Sequence, residues 1–331
     1  MMKTKAMNIN FHPGRDDFID RLFSYLTSTL PLEILQLKQI RNNVFLLETN
    51  NNLFILKGYQ NLPKLRVQQD LTASLKSAGF NETYEFYQFT DTPLFFENRY
   101  YGCIGYIAQN RNHFTYQSQV EREEGLHLLT TFHSTTKRLV PTYKGVIPKQ
   151  NLLKKWRDRL QRFKINRAIV NYYVPKQMTT ELLEWAEVAL AGMEKHKADF
   201  ESRAPVILHG DVAHHNFIRS KSSDLYLIDF DLVSIGPASY DLLQYSNRIL
   251  PFMNWSLESL SKMEGLADHL HDNSFLYGLM YPSDIFREWN RIIKLNSYYN
   301  PARVAPLVEL TVSQFNDRKA FIESLENKIT S

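Results

Sequence analysis

Asp211, Asn216 and Asp229 are the residues of this chain whose types and spacing could do chemistry. They lie in His209-Gly210-Asp211-Val212-Ala213-His214-His215-Asn216 and in Ile228-Asp229-Phe230-Asp231. Asp211 follows an apolar stretch, Val206-Ile207-Leu208, and a glycine turn, which puts its carboxylate at a strand end. Asn216 opens the next strand and Asp229 closes the strand paired with it. The resulting hairpin gathers two carboxylates and one amide oxygen around a small volume. Hard oxygen ligands of this kind suit Mg²⁺, which takes one or two carboxylates together with substrate phosphates. A separate Asp can then accept the proton of a hydroxyl as a phosphoryl group is transferred. Any one of the three alone would read as an ordinary turn or cap residue.

Other chemistries find less in the sequence. His209, Asp211, His214 and His215 offer a zinc-like set. Asp231 reads either as an assistant to the metal or as a loop cap. No GxSxG elbow supports a hydrolase.

The elements that must carry these residues follow from hydrophobic spacing. Residues 17–29 are periodic as a helix. EILQLKQI, VFLLET and LFILKGY then form a three-strand meander broken at Arg41-Asn42-Asn43 and Asn50-Asn51-Asn52. A helix over 66–78 ends at Gly79, and strands are expected near 83–90 and 94–107. Gln109-Asn110-Arg111-Asn112 reads as a linker. Helices are expected beyond it over 119–134, 150–168, 179–197, 240–249, 256–270, 283–297 and 303–327. The β island at 206–231 interrupts them as strand, turn and strand. This is an α+β organisation.

HGDxxxxN followed by IDFD resembles the aminoglycoside, choline and homoserine phosphotransferase family of protein-kinase-like enzymes. The resemblance covers about residues 35–250. It implies a bilobal protein-kinase-like fold: a small antiparallel β-sheet N-lobe with one helix, residues 1–108, that binds nucleotide, and a large mainly helical C-lobe, residues 109–331, with the catalytic hairpin and acceptor pocket. It implies ATP and Mg²⁺ as cofactors and a small-molecule hydroxyl as acceptor. Asp211 would be the catalytic base, Asn216 and Asp229 the Mg²⁺ ligands, and His209 the residue that shapes the loop. Ile235-Gly236-Pro237-Ala238-Ser239-Tyr240-Asp241-Leu242 is similar to the family's GPxxxDL segment, whose Asp buttresses the catalytic loop. Lys57 stands where the family keeps its phosphate-binding lysine. The strand around Cys103-Ile104-Gly105-Tyr106-Ile107 is similar to the hinge, with Gly105 and Ile107 meeting adenine. LTTFHS (129–134) resembles the helix after the hinge.

The chain departs from the family in two places. No glycine lies between residues 33 and 57, where kinases let backbone N–H groups approach phosphate, and Asn43 would have to serve. The position expected to offer a Glu to Lys57 holds Gln68, with Asp70 two residues on; Gln68 also reads as a plain helix-surface residue. Helix 152–167 is similar to the CotS-type branch of spore-coat proteins. That gives a second reading, a catalytically impaired structural protein with other coat proteins as partners. The seven cations of this helix read as a solvated face, or as a surface for an anionic substrate, nucleic acid or a coat partner.

The 331 residues carry 39 Lys and Arg against 35 Asp and Glu, a net charge of +4 that by itself points to neither nucleic acid nor membrane. Cys103, the single cysteine, excludes an internal disulfide and reads as a packed core residue. The N-terminal MMKTKAMNINFHPGRDD has no apolar signal core, and no apolar run approaches the roughly 18 residues of a spanning helix. The expected location is the cytoplasm.

Overall fold

The computed structural model describes residues 15–330. Most of the N-terminal stretch read for a signal lies outside them. The chain divides into two compact units between Ala108 and Gln109.

In the first unit, α1 (Arg15–Thr29) precedes the meander β1 (Ile34–Arg41), β2 (Val44–Thr49) and β3 (Leu53–Tyr59). Then come α2 (Leu62–Ser77), β4 (Phe86–Tyr87), β5 (Leu94–Phe96) and β6 (Arg99–Gly105). The antiparallel sheet runs β1-β2-β3-β6-β4, with β5 also on β6. Asn42-Asn43 makes a two-residue turn between the paired Arg41 and Val44, with Asn43 at a φ of 58° that asparagine tolerates. The strand expected over 94–107 is broken at Glu97 and Asn98, whose φ values of 42° and 61° turn the chain between β5 and β6. The strand expected over 83–90 shrinks to β4.

One face of the sheet buries Leu37, Phe45, Leu47, Phe54 and Leu56 with Cys103 beneath Leu22 and Leu26 of α1. Each such side chain contributes about 1.5–3 kcal/mol by leaving water. Alternation along β3 sends Lys57 to the other face. There it pairs with Gly102, where an added Cβ would come within 2.8 Å of Leu65 in α2. Helix α2 therefore packs on the Lys57 face. Its buried stripe is Leu65, Gln68, Leu71, Thr72 and Leu75, so Gln68 is an inward residue and not a surface one.

The second unit opens with α3 (Gln119–Tyr143), started by a capping box between Ser118 and Glu121. Next are α4 (Leu152–Ile165), α5 (Arg167–Tyr173), α6 (Lys176–Lys195) and α7 (Lys197–Glu201). The β island holds β7 (Val206–Leu208), β8 (Phe217–Arg219), β9 (Leu225–Leu227) and β10 (Ser234–Gly236). Strands β8 and β9 pair as expected from sequence, but β7 pairs with β10, whose Ile235 and Gly236 were read only within the GPxxxDL-like segment and given no strand. The helices α8 (Ser239–Ile249), α9 (Leu257–Ser261), α10 (Asn273–Met280), α11 (Ser283–Lys294), α12 (Pro301–Val312) and α13 (Phe315–Thr330) complete the unit. Expected helix 256–270 is only α9 and a 3-10 turn, and expected helix 303–327 is two helices, α12 and α13.

Helix α4 buries Leu152, Trp156, Leu160 and Phe163. Trp156 stacks on Tyr281 and Phe163 lies against Phe286, each with ring centroids 4.3 Å apart. The Tyr281 hydroxyl also donates to the Trp156 carbonyl at 2.7 Å. These contacts fix how α4 turns against α11. Among the described residues no helix is long and apolar enough to cross a membrane.

Candidate active site

The loop after β7 needs its glycine. Gly210 adopts a φ of +81°, and a Cβ there would sit 2.3 Å from the Leu232 carbonyl oxygen. Around that turn almost every backbone group of the loop is held. The Asp241 carboxylate, at the start of α8, accepts the His209 and Gly210 N–H groups at 2.6 and 3.0 Å. It also accepts the His133 Nε2–H at 3.0 Å from α3. Gln244 donates to the Gly210 carbonyl and the Tyr116 hydroxyl to the Val212 carbonyl, at 3.2 and 2.6 Å. Asp241 is 1% exposed. Burial pushes its carboxyl up, but His133, His209 and the backbone donors outweigh that, and the net displacement is downward.

His209 is wholly buried and uses both ring nitrogens within the site. Nε2–H donates to the Ile228 carbonyl at 2.9 Å, and Nδ1 accepts the Asp211 N–H at 3.3 Å. Burial lowers its pKa against the pull of Asp241 and the other acids, which keeps this one tautomer neutral. A ring so committed shapes the loop and is not a zinc ligand. Among the described residues no three His, Cys, Asp or Glu side chains converge for a metal.

The three oxygen-bearing residues stand on adjoining backbone segments of the hairpin. Asn216 ends a 3-10 turn just before β8, and its carbonyl accepts the Ile228 N–H at 2.9 Å, which sets Asp229 at the facing strand end. Its amide nitrogen donates to the Asp211 carbonyl at 2.8 Å, leaving its amide oxygen as the acceptor. Asp229 stands at φ 70°, ψ 67°, an uncommon conformation that Asp bears more easily than most residues. Among the described residues Asp211 is held through one oxygen only, Oδ1, by Arg248 of α8 at 2.7 Å. Asp211 borders a cavity of about 410 Å³ within the second unit, walled by residues of α4, α8 and α11.

In the first unit, Lys57 is 8% exposed, with Nζ 5.5 Å from the centre of the Tyr59 ring. Gln68 is 5% exposed, and its side-chain oxygen accepts the Tyr84 hydroxyl at 3.3 Å. Asn43 accepts the Gly58 N–H through its carbonyl at 2.8 Å. Gly105 donates its own N–H to Glu85 at 2.9 Å, so that amide is not open to a base. Ile107 lies beyond the end of β6.

Four residues that hold the site lay outside the motif, among them Tyr116, which precedes α3 and carried no local signal. His133 was visible only as part of LTTFHS, while Gln244 and Arg248 stand on α8 with no local signal.

Residues 119–273 match the model of the phosphotransferase enzyme family. That span contains His133, the whole Asp211–Asp229 hairpin, Asp241 and Arg248. No curated protein matches the chain in sequence. The structure of an aminoglycoside phosphotransferase from Alicyclobacillus acidocaldarius subsp. acidocaldarius superposes with a TM-score of 0.70 at 16% identity, covering 92% of this chain and 95% of that one. Spectinomycin phosphotransferase APH(9)-Ia bound to AMP superposes with 0.63 at 14% identity, covering 91% and 97%. The same enzyme with ADP and spectinomycin gives 0.54 at 13% identity, covering 94% and 97%. The fold is therefore kinase-like, as the resemblance implied. The spore-coat branch has no counterpart among these matches.

Proposed function

We propose that the chain is an ATP- and Mg²⁺-dependent phosphotransferase that acts on a hydroxyl of a small molecule in the cytoplasm. The observation that carries this reading is Asp211: a carboxylate on a braced loop, anchored through Oδ1, bordering a cavity of small-molecule size. On this reading the first unit binds nucleotide through Lys57, Gln68, the Asn43 turn and the backbone near Gly105 and Ile107. Asn216 and Asp229 suit Mg²⁺ because the amide nitrogen of Asn216 is already committed, which leaves hard oxygen donors at adjoining strand ends. When bound, the ion would offset charge on the transferring phosphoryl oxygens.

Asp211 Oδ2 orients the acceptor hydroxyl and takes its proton as the oxygen bonds to the γ-phosphorus. The bond from that phosphorus to the bridging oxygen breaks, and ADP leaves with the electron pair. Arg248 holds Asp211 in place without occupying Oδ2. His209 and Asp241 act through the loop as positioning residues.

A second reading, an impaired kinase-like structural protein of the bacterial spore coat, draws on the lack of glycine between residues 33 and 57 and on the neutral Gln68 facing the Lys57 side. Transfer of the labelled γ-phosphate of ATP into the small-molecule fraction of a cell extract separates the two. The phosphotransferase reading expects a labelled product with the native chain and none with Asp211→Asn. Equal label with both proteins would refute it.

A further inference from the structure

The cavity beside Asp211 is cationic. Lys155 and Arg159 of α4, Arg248 of α8, and Arg287 and Arg291 of α11 line it, against the carboxylates of Asp211 and Glu288 alone. Both carboxylates are already engaged. Asp211 pairs with Arg248 at 2.7 Å, and Glu288 is shared between Arg287 at 2.9 Å and Arg291 at 2.6 Å. Among the described residues Lys155 and Arg159 have no carboxylate partner.

Helix α4 shows that this is not a uniformly basic surface. Three of its four outward cations are neutralised: Lys154 by Asp158 at 2.9 Å, Arg157 by Glu194 at 2.6 Å and Lys164 by Glu187 at 2.6 Å. Arg162, also outward, reaches only the Asp158 carbonyl in open solvent, whereas Lys155 and Arg159 are half-buried at the cavity, Arg159 donating to the Ser283 carbonyl at 3.2 Å and neither meeting a carboxylate among the described residues. Lys155 and Arg159 are four residues apart, a spacing at which like charges destabilise a helix. Burial and the neighbouring Arg159 both disfavour the charged form of Lys155, and Arg287 adds its own repulsion to Lys155, Arg159 and Arg248. Half-buried cations without a carboxylate partner carry a desolvation cost that a bound anion would offset.

We propose that the acceptor is an anionic hydroxy compound, a small molecule whose carboxylate or phosphate group binds Lys155 and Arg159 while its hydroxyl is presented to Asp211. This rests on the phosphotransferase reading and narrows it: polycationic or quaternary-ammonium acceptors are disfavoured by this wall. The same wall fits a sugar phosphate or a hydroxy acid, and the two differ only in which anion is held.

The test measures binding to the full chain without nucleotide. Inorganic phosphate, gluconate and choline are titrated at low ionic strength, followed by calorimetry and by shifts in melting temperature. Phosphate or gluconate is expected to bind at one site, weakened at least about tenfold by the double substitution K155Q and R159Q and restored by K155R with R159K. The outward pair K154Q and R157Q should leave binding unchanged. Preference for phosphate over gluconate, or the reverse, identifies the anion. Binding of choline at this site, anion binding indifferent to K155Q and R159Q, or no anion binding at all would overturn the proposal. Because the readout is binding and not turnover, anion binding by a protein unable to transfer phosphate would refute the phosphotransferase reading alone. Turnover of a cationic acceptor would refute the anion site alone.

Discussion

Asp241→Asn probes the brace beneath Asp211. The carboxylate accepts three hydrogen bonds in a buried setting, from His209 N at 2.6 Å, Gly210 N at 3.0 Å and His133 Nε2 at 3.0 Å. An amide of the same shape keeps one oxygen and turns an NH₂ toward a donor. Charge-assisted bonds contribute roughly 1.5–3 kcal/mol each, so losing one and weakening the others costs about 3 kcal/mol. At about 2–4 °C per kcal/mol for a unit of this size, the melting temperature should fall by roughly 6–12 °C. Calorimetric melting measures the loss, and hydrogen exchange at the His209 and Gly210 amides locates it. The folded carboxyl titrates below its unfolded value, so its contribution is complete above about pH 4 and disappears as the pH falls through the folded value. The difference between wild type and Asp241→Asn should therefore be largest near neutrality and shrink in acid. A variant that melts within about 1 °C of wild type at pH 7, with both amides still protected, would refute the bracing argument.

Other consequences follow from the same contacts. Gly210→Ala should cost at least about 1–2 kcal/mol from its left-handed conformation alone, and more from the Leu232 carbonyl 2.3 Å from the new Cβ, as urea unfolding will show. His269, pushed by burial to about 4 and accepting Arg203 Nη1 at 2.9 Å, stays neutral in the folded chain while the unfolded chain protonates near pH 6.5. Stability should accordingly decline between pH 6.5 and 4, by up to about 3 kcal/mol, and His269→Gln should flatten that slope. Cys103, 2% exposed and with its thiol pushed up to about 12, should react with a disulfide reagent orders of magnitude more slowly in the native chain than in urea.

The hairpin was legible because its markers are local: the glycine turn, Asn216 and Asp229 mark strand ends within one short segment. Helix α2 carried a signal that was there to be used, since Gln68 falls on the Leu65, Leu71 and Leu75 stripe and had to be buried with it. Strand β10 was not legible, because three residues hold too little pattern and its partner β7 lies far back in the chain. Arg248 meets Asp211 from 37 residues away and His133 meets Asp241 from 108, distances at which only the folded chain can report a contact. The basic helix was half legible. Leu152, Trp156, Leu160 and Phe163 fix its buried stripe, and Lys155 and Arg159 flank it, but the cavity they border depends on α8 and α11.

The central claim is that Asn216 and Asp229 hold a metal-bound nucleotide for Asp211 to work on. It is met most directly by titrating ADP into the full chain by calorimetry, with and without Mg²⁺, and repeating this on Asp229→Asn. The account predicts saturable binding that Mg²⁺ strengthens at least about tenfold, with the strengthening lost in Asp229→Asn. No binding at millimolar ADP, or the same Mg²⁺ effect in the variant, would contradict it.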